Sequence, residues 1–469
     1  MWLQVFYSCM RKITAAFFRS IKMKTNLFVI GLLLAFSGQV FSQAVIDSAF
    51  NSTIRKYNGG WIAGDATFSI ALPGQKTLWL FGDSFIGTVY PDNSIASGAK
   101  MIRNCAVLQD GDSMRALYGG TFQNPKSFVA SANDNSDWYW PEHGLLENDT
   151  LKIFFSEFVL APGQAGFNFK YKAAILARFT YPDIKLVDYK KLPYYDIDGV
   201  CYGNSVLVEN GYTYIYGRKE YDTVSHIPYP HIARVPVGNI LAPWEFYNGT
   251  TWSIIPGDTK KISSVAVSQQ YGVFKLNNRY VIINQEIWLS AKIYSYTSNF
   301  PQGPWNSKNL LYNTPILYPN TFTYNAFSHP QFNENEELLI SYNSNGNFAD
   351  IFKNVEVYRP RFIRVPFTML DPTYASVSES KTLGKDLKDV ILYQNIPNPA
   401  TNETKVKFTV SRKSFVSLQI WDLEGRQIQT YVNKFLYPGT YDVDLDVKNL
   451  KKGVYIYRIN NTCLKLIKN

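Results

Sequence analysis

A short strand ending in a polar residue recurs along this chain and restricts its folding more than any other feature. TLWLFGD ends at Asp83, LKIFFSE at Glu157, YTYIYGR at Arg218, RYVIINQ at Gln285 and LLISYN at Asn343. The five ends are spaced by 74, 61, 67 and 58 residues, and each copy follows another apolar strand and a turn, those before the last four being HGLLEND, NSVLVENG, SQQYGVFKLNN and HPQFNENE. A repeat of that length holds about four strands, so the copies predict the five blades of a β-propeller. A β-sandwich or an irregular β-helix also uses alternating strands, but neither accounts for a polar group closing every second strand. Composition points the same way: 33 Tyr, 31 Phe and 10 Trp, with 29 Gly and 23 Pro, suit short strands joined by turns. The expected fold class is all-β, with a five-bladed propeller over residues 43–366.

The ends of the chain differ from this body. Residues 1–42 contain the apolar run LFVIGLLLAF behind Lys24 and close on Val40-Phe41-Ser42, the pattern of a cleaved secretory signal whose true start is Met1 or Met23. The apolar run is short for a membrane span, so no transmembrane segment is expected in the mature chain. Those 42 residues carry five Lys/Arg and no acid, and residues from Val390 onward carry 12 Lys/Arg against 6 Asp/Glu. The formal charge of +10 therefore resides at the two ends, and the near-neutral body gives nucleic-acid binding no support. After the leader, Cys105, Cys201 and Cys463 remain without CxxC spacing, which predicts no metal site and leaves one Cys105–Cys201 bridge open. No cofactor is expected, and only ANDNSDW (Asn133 to Asp137 within it) offers an acidic loop for calcium.

Residues 367–389 lose the aromatic density and read as a linker. Beyond them, alternating strands separated by Asn-Pro, Glu-Gly and Lys-Gly turns predict a small antiparallel β-sandwich over 390–469. YQNIPNPATNET, WDLEGRQI, PGTYDVDLD and LKKGVYIYRI resemble, in order, the C-terminal sorting domain of the Bacteroidetes type IX secretion system. That resemblance implies engagement of the secretion machinery, transport across the outer membrane, and release or surface attachment.

In a propeller the inner strand of each blade lines the central channel and the next strand returns antiparallel to it. The start of one and the end of the other therefore share a face. Read blade by blade, this places Asp65 with Asp83, Glu142-His143 with Glu157, Asn204 with Arg218, Ser268 with Gln285-Glu286, and His329 with Asn343. Strand ends are also polar for plain solvation. Yet a ring holding several carboxyls suits glycosidic hydrolysis, in which one carboxyl acts as acid and another as base or nucleophile. Clustering raises one pKa through repulsion and desolvation. Asp65, Asp83, Glu142 and Glu157 are the catalytic candidates. His143, Asn204, Arg218, Gln285, Glu286, His329, Asn343 and Trp140 are the candidates for holding a polysaccharide or oligosaccharide. Trp61, Trp138, Tyr139, Tyr202, Trp288 and Tyr324 are of the type that stacks on sugars, although most such residues pack blades together.

GWIAGDATFSIALPGQKTLWLFGDSFIG is similar to the first-blade signature of secreted propellers in an uncharacterised-domain family related to endo-D-arabinanases. ARVPVGNILAPWEFYNG and SNFPQGPWN resemble inter-blade segments of furanosidase-type propellers. The resemblance implies catalytic roles for Asp65 and Asp83 and an arabinan-type substrate. The chain departs from the furanosidase triad on the third blade, where Asn204 stands and the nearest acid is Asp198. A carbohydrate-binding propeller without catalysis, or a surface interaction protein, uses the same ring differently.

Overall fold

The computed structural model describes residues 43–55, 60–132, 136–161, 168–192, 199–221, 226–287, 289–374, 390–410, 414–423, 426–459 and 462–469. The leader, Asn133 to Asn135, Asp198 and Trp288 lie outside the described residues. The chain divides into two compact units, Met1–Ser376 and Val377–Asn469.

The first unit contains five successive antiparallel sheets of four or five strands. Their inner pairs are Phe68–Leu72 with Lys76–Phe81, Asp137–Glu147 with Thr150–Leu160, Cys201–Glu209 with Tyr212–Glu220, Tyr271–Leu276 with Arg279–Gln285, and Phe322–Ser328 with Glu337–Asn345. The recurring strand of the sequence is the second strand of every sheet. These strands run as continuous apolar stretches because both faces of each blade are covered by neighbours. Five cores follow from this. Phe68, Leu80, Ile153 and Ile175 pack between blades 1 and 2; Phe154, Ile215 and Trp244 pack between blades 2 and 3. Tyr216, Tyr271 and Ile282 fill the next interface, Ile283, Ile340 and Ile363 the fourth, and Trp79, Leu339 and Phe362 close blade 5 onto blade 1.

The ring is latched by its own beginning. Val45–Ile46 pairs antiparallel with Arg361–Pro366, so the first strand among the described residues is the outermost strand of the last blade. Asp47 Oδ2 accepts from Arg364 Nε at 2.7 Å, and its Oδ1 caps the helix Ser48–Ile54 through Phe50 N–H.

Two sequence expectations need correction. HPQFNENE is not the inner strand of blade 5; it is the turn after Phe322–Ser328, because Pro330 opens a short 3-10 turn, Pro330–Phe332. His329 therefore sits at the far end of that strand, and Tyr324 is the residue opposite Asn343. Residues 367–374 do not begin the linker: Phe367–Leu370 is helical, and Phe367, Leu370 and Tyr374 pack on the core between blades 4 and 5. Cys105 and Cys201 are free and buried on blades 1 and 3, and Cys463 is free as well.

The second unit is a sandwich. Val390–Leu392, Glu403–Val410 and Gly439–Asp446 form one sheet; Gln427–Leu436, Ser414–Trp421, Gly453–Ile459 and Thr462–Lys468 form the other. Val406, Phe408, Leu418, Ile420, Leu445 and Tyr457 share the core between them. Among the described residues no helix is long and apolar enough to cross a membrane.

Candidate active site

The stretch from Gly60 to Gly87 is two sheets rather than one hairpin. Gly60–Gly64 pairs with Ser84–Gly87, and beyond a corner Phe68–Leu72 pairs with Lys76–Phe81. Asp65 and Asp83 are the two residues at that corner. Asp65 N–H donates to the Asp83 carbonyl at 3.3 Å, and Gly82 N–H donates to the Asp65 carbonyl at 2.9 Å, which sets the two aspartates side by side. The bend is made by Ala66 and Thr67 at φ 69° and 51°, a left-handed conformation that side chains with a Cβ, and β-branched ones above all, rarely adopt. Side chains hold it in place: Thr67 Oγ1 donates to Asn343 Oδ1 at 2.6 Å, and Gln270 Nε2 donates to the Ala66 carbonyl. A Cβ on Gly82 would stand 2.6 Å from Asp65 Oδ1, so a larger residue there has to displace that carboxyl.

The two carboxyls have different partners. Asp83 accepts from Trp140 Nε1 at 2.9 Å and from Arg103 Nη1 at 3.3 Å. Asp65 accepts from the Tyr324 hydroxyl at 2.7 Å, and among the described residues no cation pairs with it. Desolvation, and then the charge of Asp83, raise the Asp65 pKa to about 7. Desolvation also raises that of Asp83, but Arg103 and the Trp140 N–H oppose the shift. The pair is therefore poised with the proton on Asp65 and the charge on Asp83. The Tyr358 hydroxyl donates to the Asp83 carbonyl at 3.1 Å, so blade 5 buttresses the corner from a second side.

A second cluster is built by bulges. Strand pairing slips between Pro141 and Gly144, between Tyr202 and Ser205, and between Tyr324 and Phe327. These irregularities lie in the inner strands of blades 2, 3 and 5, and they re-aim Glu142 and Asn204. Glu142 Oε1 accepts from Ser156 Oγ at 2.7 Å and from Arg218 Nη1 at 3.0 Å, while its buried Oε2 has no partner. Arg218 is itself fixed by Asn204 Oδ1 at 2.6 Å and Gln269 Oε1 at 2.7 Å. Residues close in sequence join the clusters: Trp140 and Glu142, either side of Pro141 on blade 2, and the adjacent Gln269 and Gln270 before blade 4.

The other candidates take different places. Glu157, next to Ser156 and so on the opposite strand face, is paired with Lys172 at 2.7 Å and Lys191 at 3.3 Å. Both ring nitrogens of His143 are engaged, Nε2 with the Ser69 carbonyl at 3.0 Å and Nδ1 with the Val206 N–H at 2.9 Å. It is a strut across the channel, with burial lowering its pKa to about 4. His329 is fully buried between Ser69 Oγ at 2.6 Å and Ser341 Oγ at 2.8 Å. Gln285 binds the Ser290 carbonyl and Thr323, and Glu286 pairs with Lys308 at 3.5 Å and Ser290 at 2.8 Å. Asn343 serves the corner through Thr67. Arg103 and Tyr358 escaped the sequence reading because neither lies at the end of a recurring strand. Tyr324 was visible only as a stacking aromatic, since its blade was placed too late. No metal-binding group of His, Cys, Asp or Glu is found among the described residues.

Residues 47–381 match the family described as a domain of unknown function, DUF5005. The chain belongs to this family. Residues 395–469 of this DUF5005 chain match the secretion system C-terminal sorting domain, which marks it for type IX export and for release or attachment at the cell surface. A presumed hydrolase from Bacteroides ovatus shares its fold, with 20% identity, TM-score 0.61, and 72% of this chain and 95% of that chain covered. A GH43_1 enzyme from Xanthomonas citri, solved with xylose, aligns at TM-score 0.40 and 12% identity, covering 69% and 90% of the two chains. An arabinoxylan arabinofuranohydrolase of glycoside hydrolase family 43 from Bacillus subtilis aligns at TM-score 0.36 and 12% identity, covering 86% and 94%. No curated protein matches the chain in sequence.

Proposed function

We propose that the protein is an exported glycoside hydrolase and that Asp65, Asp83 and Glu142 are its reacting carboxyls. The observation that carries this reading is the corner at Asp65 and Asp83, where two side-by-side carboxyls have unequal partners. Asp65 holds its proton near neutral pH and is the acid that protonates a leaving glycosidic oxygen. Asp83, anchored by Arg103 and Trp140, supplies the negative charge that keeps the proton there. Glu142, paired with Arg218 and with one oxygen unpartnered, is the opposing carboxyl that meets the oxocarbenium-like centre or a water. Glu157 has no part, because two lysines already neutralise it. Arabinan is the first substrate to try.

The test is cleavage of a panel of arabinans, galactans and xylans by the wild-type chain and by Asp65→Asn, Asp83→Asn and Glu142→Gln. Each variant should lose about 10²- to 10⁴-fold in rate, the range of a positioned acid or base. A wild type that binds a glycan and cleaves none would replace this reading with a carbohydrate-binding propeller. Full activity in all three variants would remove the carboxyl assignment.

A further inference from the structure

The hairpin turns of blades 3 and 4 lie at the strand ends opposite the carboxyl cluster, and a cleft of about 370 Å³ opens between these blades. Its rings are Tyr214, Trp252, Tyr280 and Phe300, of which Phe300 is 57% exposed and Trp252 half-buried. Phe300 and Trp252 are the two rings that reach solvent, whereas Tyr214 and Tyr280 are buried. Four side-chain amides, those of Asn210, Asn278, Asn299 and Gln302, stand around the rings.

Charge narrows the ligand. The two cations of the cleft are both neutralised: Arg234 Nε meets Glu245 Oε2 at 2.7 Å, and Lys275 Nζ meets Glu209 Oε1 at 2.7 Å. The Arg234 guanidinium is further held 4.2 Å from the ring centroids of both Tyr212 and Trp252, which fixes the Trp252 indole in place. An anionic ligand would have to displace those carboxylates, and a wholly apolar one would leave the amides without partners. An amide both donates and accepts, as a sugar hydroxyl does, and a flat ring covers the C–H face of a pyranose or furanose.

We propose that this cleft is a second site, binding a neutral stretch of glycan at the end of the propeller away from the carboxyls. The inference does not require the carboxyl cluster to be catalytic. The experiment is affinity electrophoresis of the full chain through gels containing arabinan, galactan, xylan or mannan, in an Asp65→Asn background that prevents cleavage. Phe300→Ala and Asn278→Ala alter exposed residues and should weaken retardation at least fivefold in the double variant. Trp252→Phe keeps a ring and should keep most of the binding, whereas Trp252→Ala should not. In the otherwise wild-type chain, Phe300→Ala should leave turnover of a short oligosaccharide unchanged, which separates failure of this site from failure of the carboxyl assignment. Undiminished retardation in the double variant, or no retardation by any of the four neutral glycans, would overturn the proposal.

Discussion

At the scale of residues, Asp65 and Asp83 differ through what touches them, and this sets the pH behaviour. Protonated Asp65 is the working form, so kcat/KM should fall as pH rises through about 7. The Tyr324 hydroxyl stabilises the ionised form and holds that pKa down. Tyr324→Phe should therefore move the basic limb of the profile to higher pH, as a rate-against-pH series would show. A limb that stayed in place would deny Asp65 the role of acid. The same group also links stability to pH. Its folded pKa lies above the ordinary value of 3.8, so the native state binds the proton more tightly than the unfolded chain does. The resulting stabilisation is present below the unfolded pKa and is lost as pH rises toward about 7. Asp65→Asn should gain melting temperature over wild type progressively across that window; calorimetry at about pH 4 and about pH 8 compares the two ends.

At the scale of elements, the corner and the bulges do the positioning. Gly82→Ala puts a methyl group where Asp65 Oδ1 now lies, 2.6 Å from the added carbon. Displacing a reacting group by about 1 Å costs roughly 10²-fold in rate, so activity should fall by that order while circular dichroism stays native. The bulge at Pro141–Gly144 commits Glu142 to a buried pair with Arg218, whose side chains are 5% and 9% exposed. Arg218→Met leaves that carboxylate unpaired and should cost about 3–5 kcal/mol in urea unfolding. An unchanged midpoint would mean that the pair contributes nothing to the stability of the native chain.

At the scale of the whole molecule, the ring depends on its latch. Val45 and Ile46 are each 51% exposed, so little apolar burial comes from them; their value lies in the strand pairing and in Asp47, which meets Arg364. Removing residues 43–47 strips a partner from a nearly buried arginine and bares the edge of Arg361–Pro366. The expected consequence is a melting temperature lower by about 10 °C, from a few kcal/mol at roughly 2–4 °C each, with aggregation on heating. Scanning calorimetry with light scattering measures both.

The local code was enough for the all-β class, the repeat and the pairing of Asp65 with Asp83, because an apolar run ending in a polar residue is a property of consecutive side chains. It also carried the export tail, whose motifs are contiguous. It misplaced the inner strand of blade 5, since FTYNAFS and HPQFNENE are both short and bounded by turn residues, and only strand pairing chooses between them. It could not show that Arg103 and Tyr358 join the corner, that Glu157 belongs to two lysines, or that His143 is a strut. Each of these depends on contacts between residues far apart in the chain, and closing the ring brings them together. Periodicity determined where the strands are; tertiary packing decided which of their polar ends are already satisfied and which are left to act.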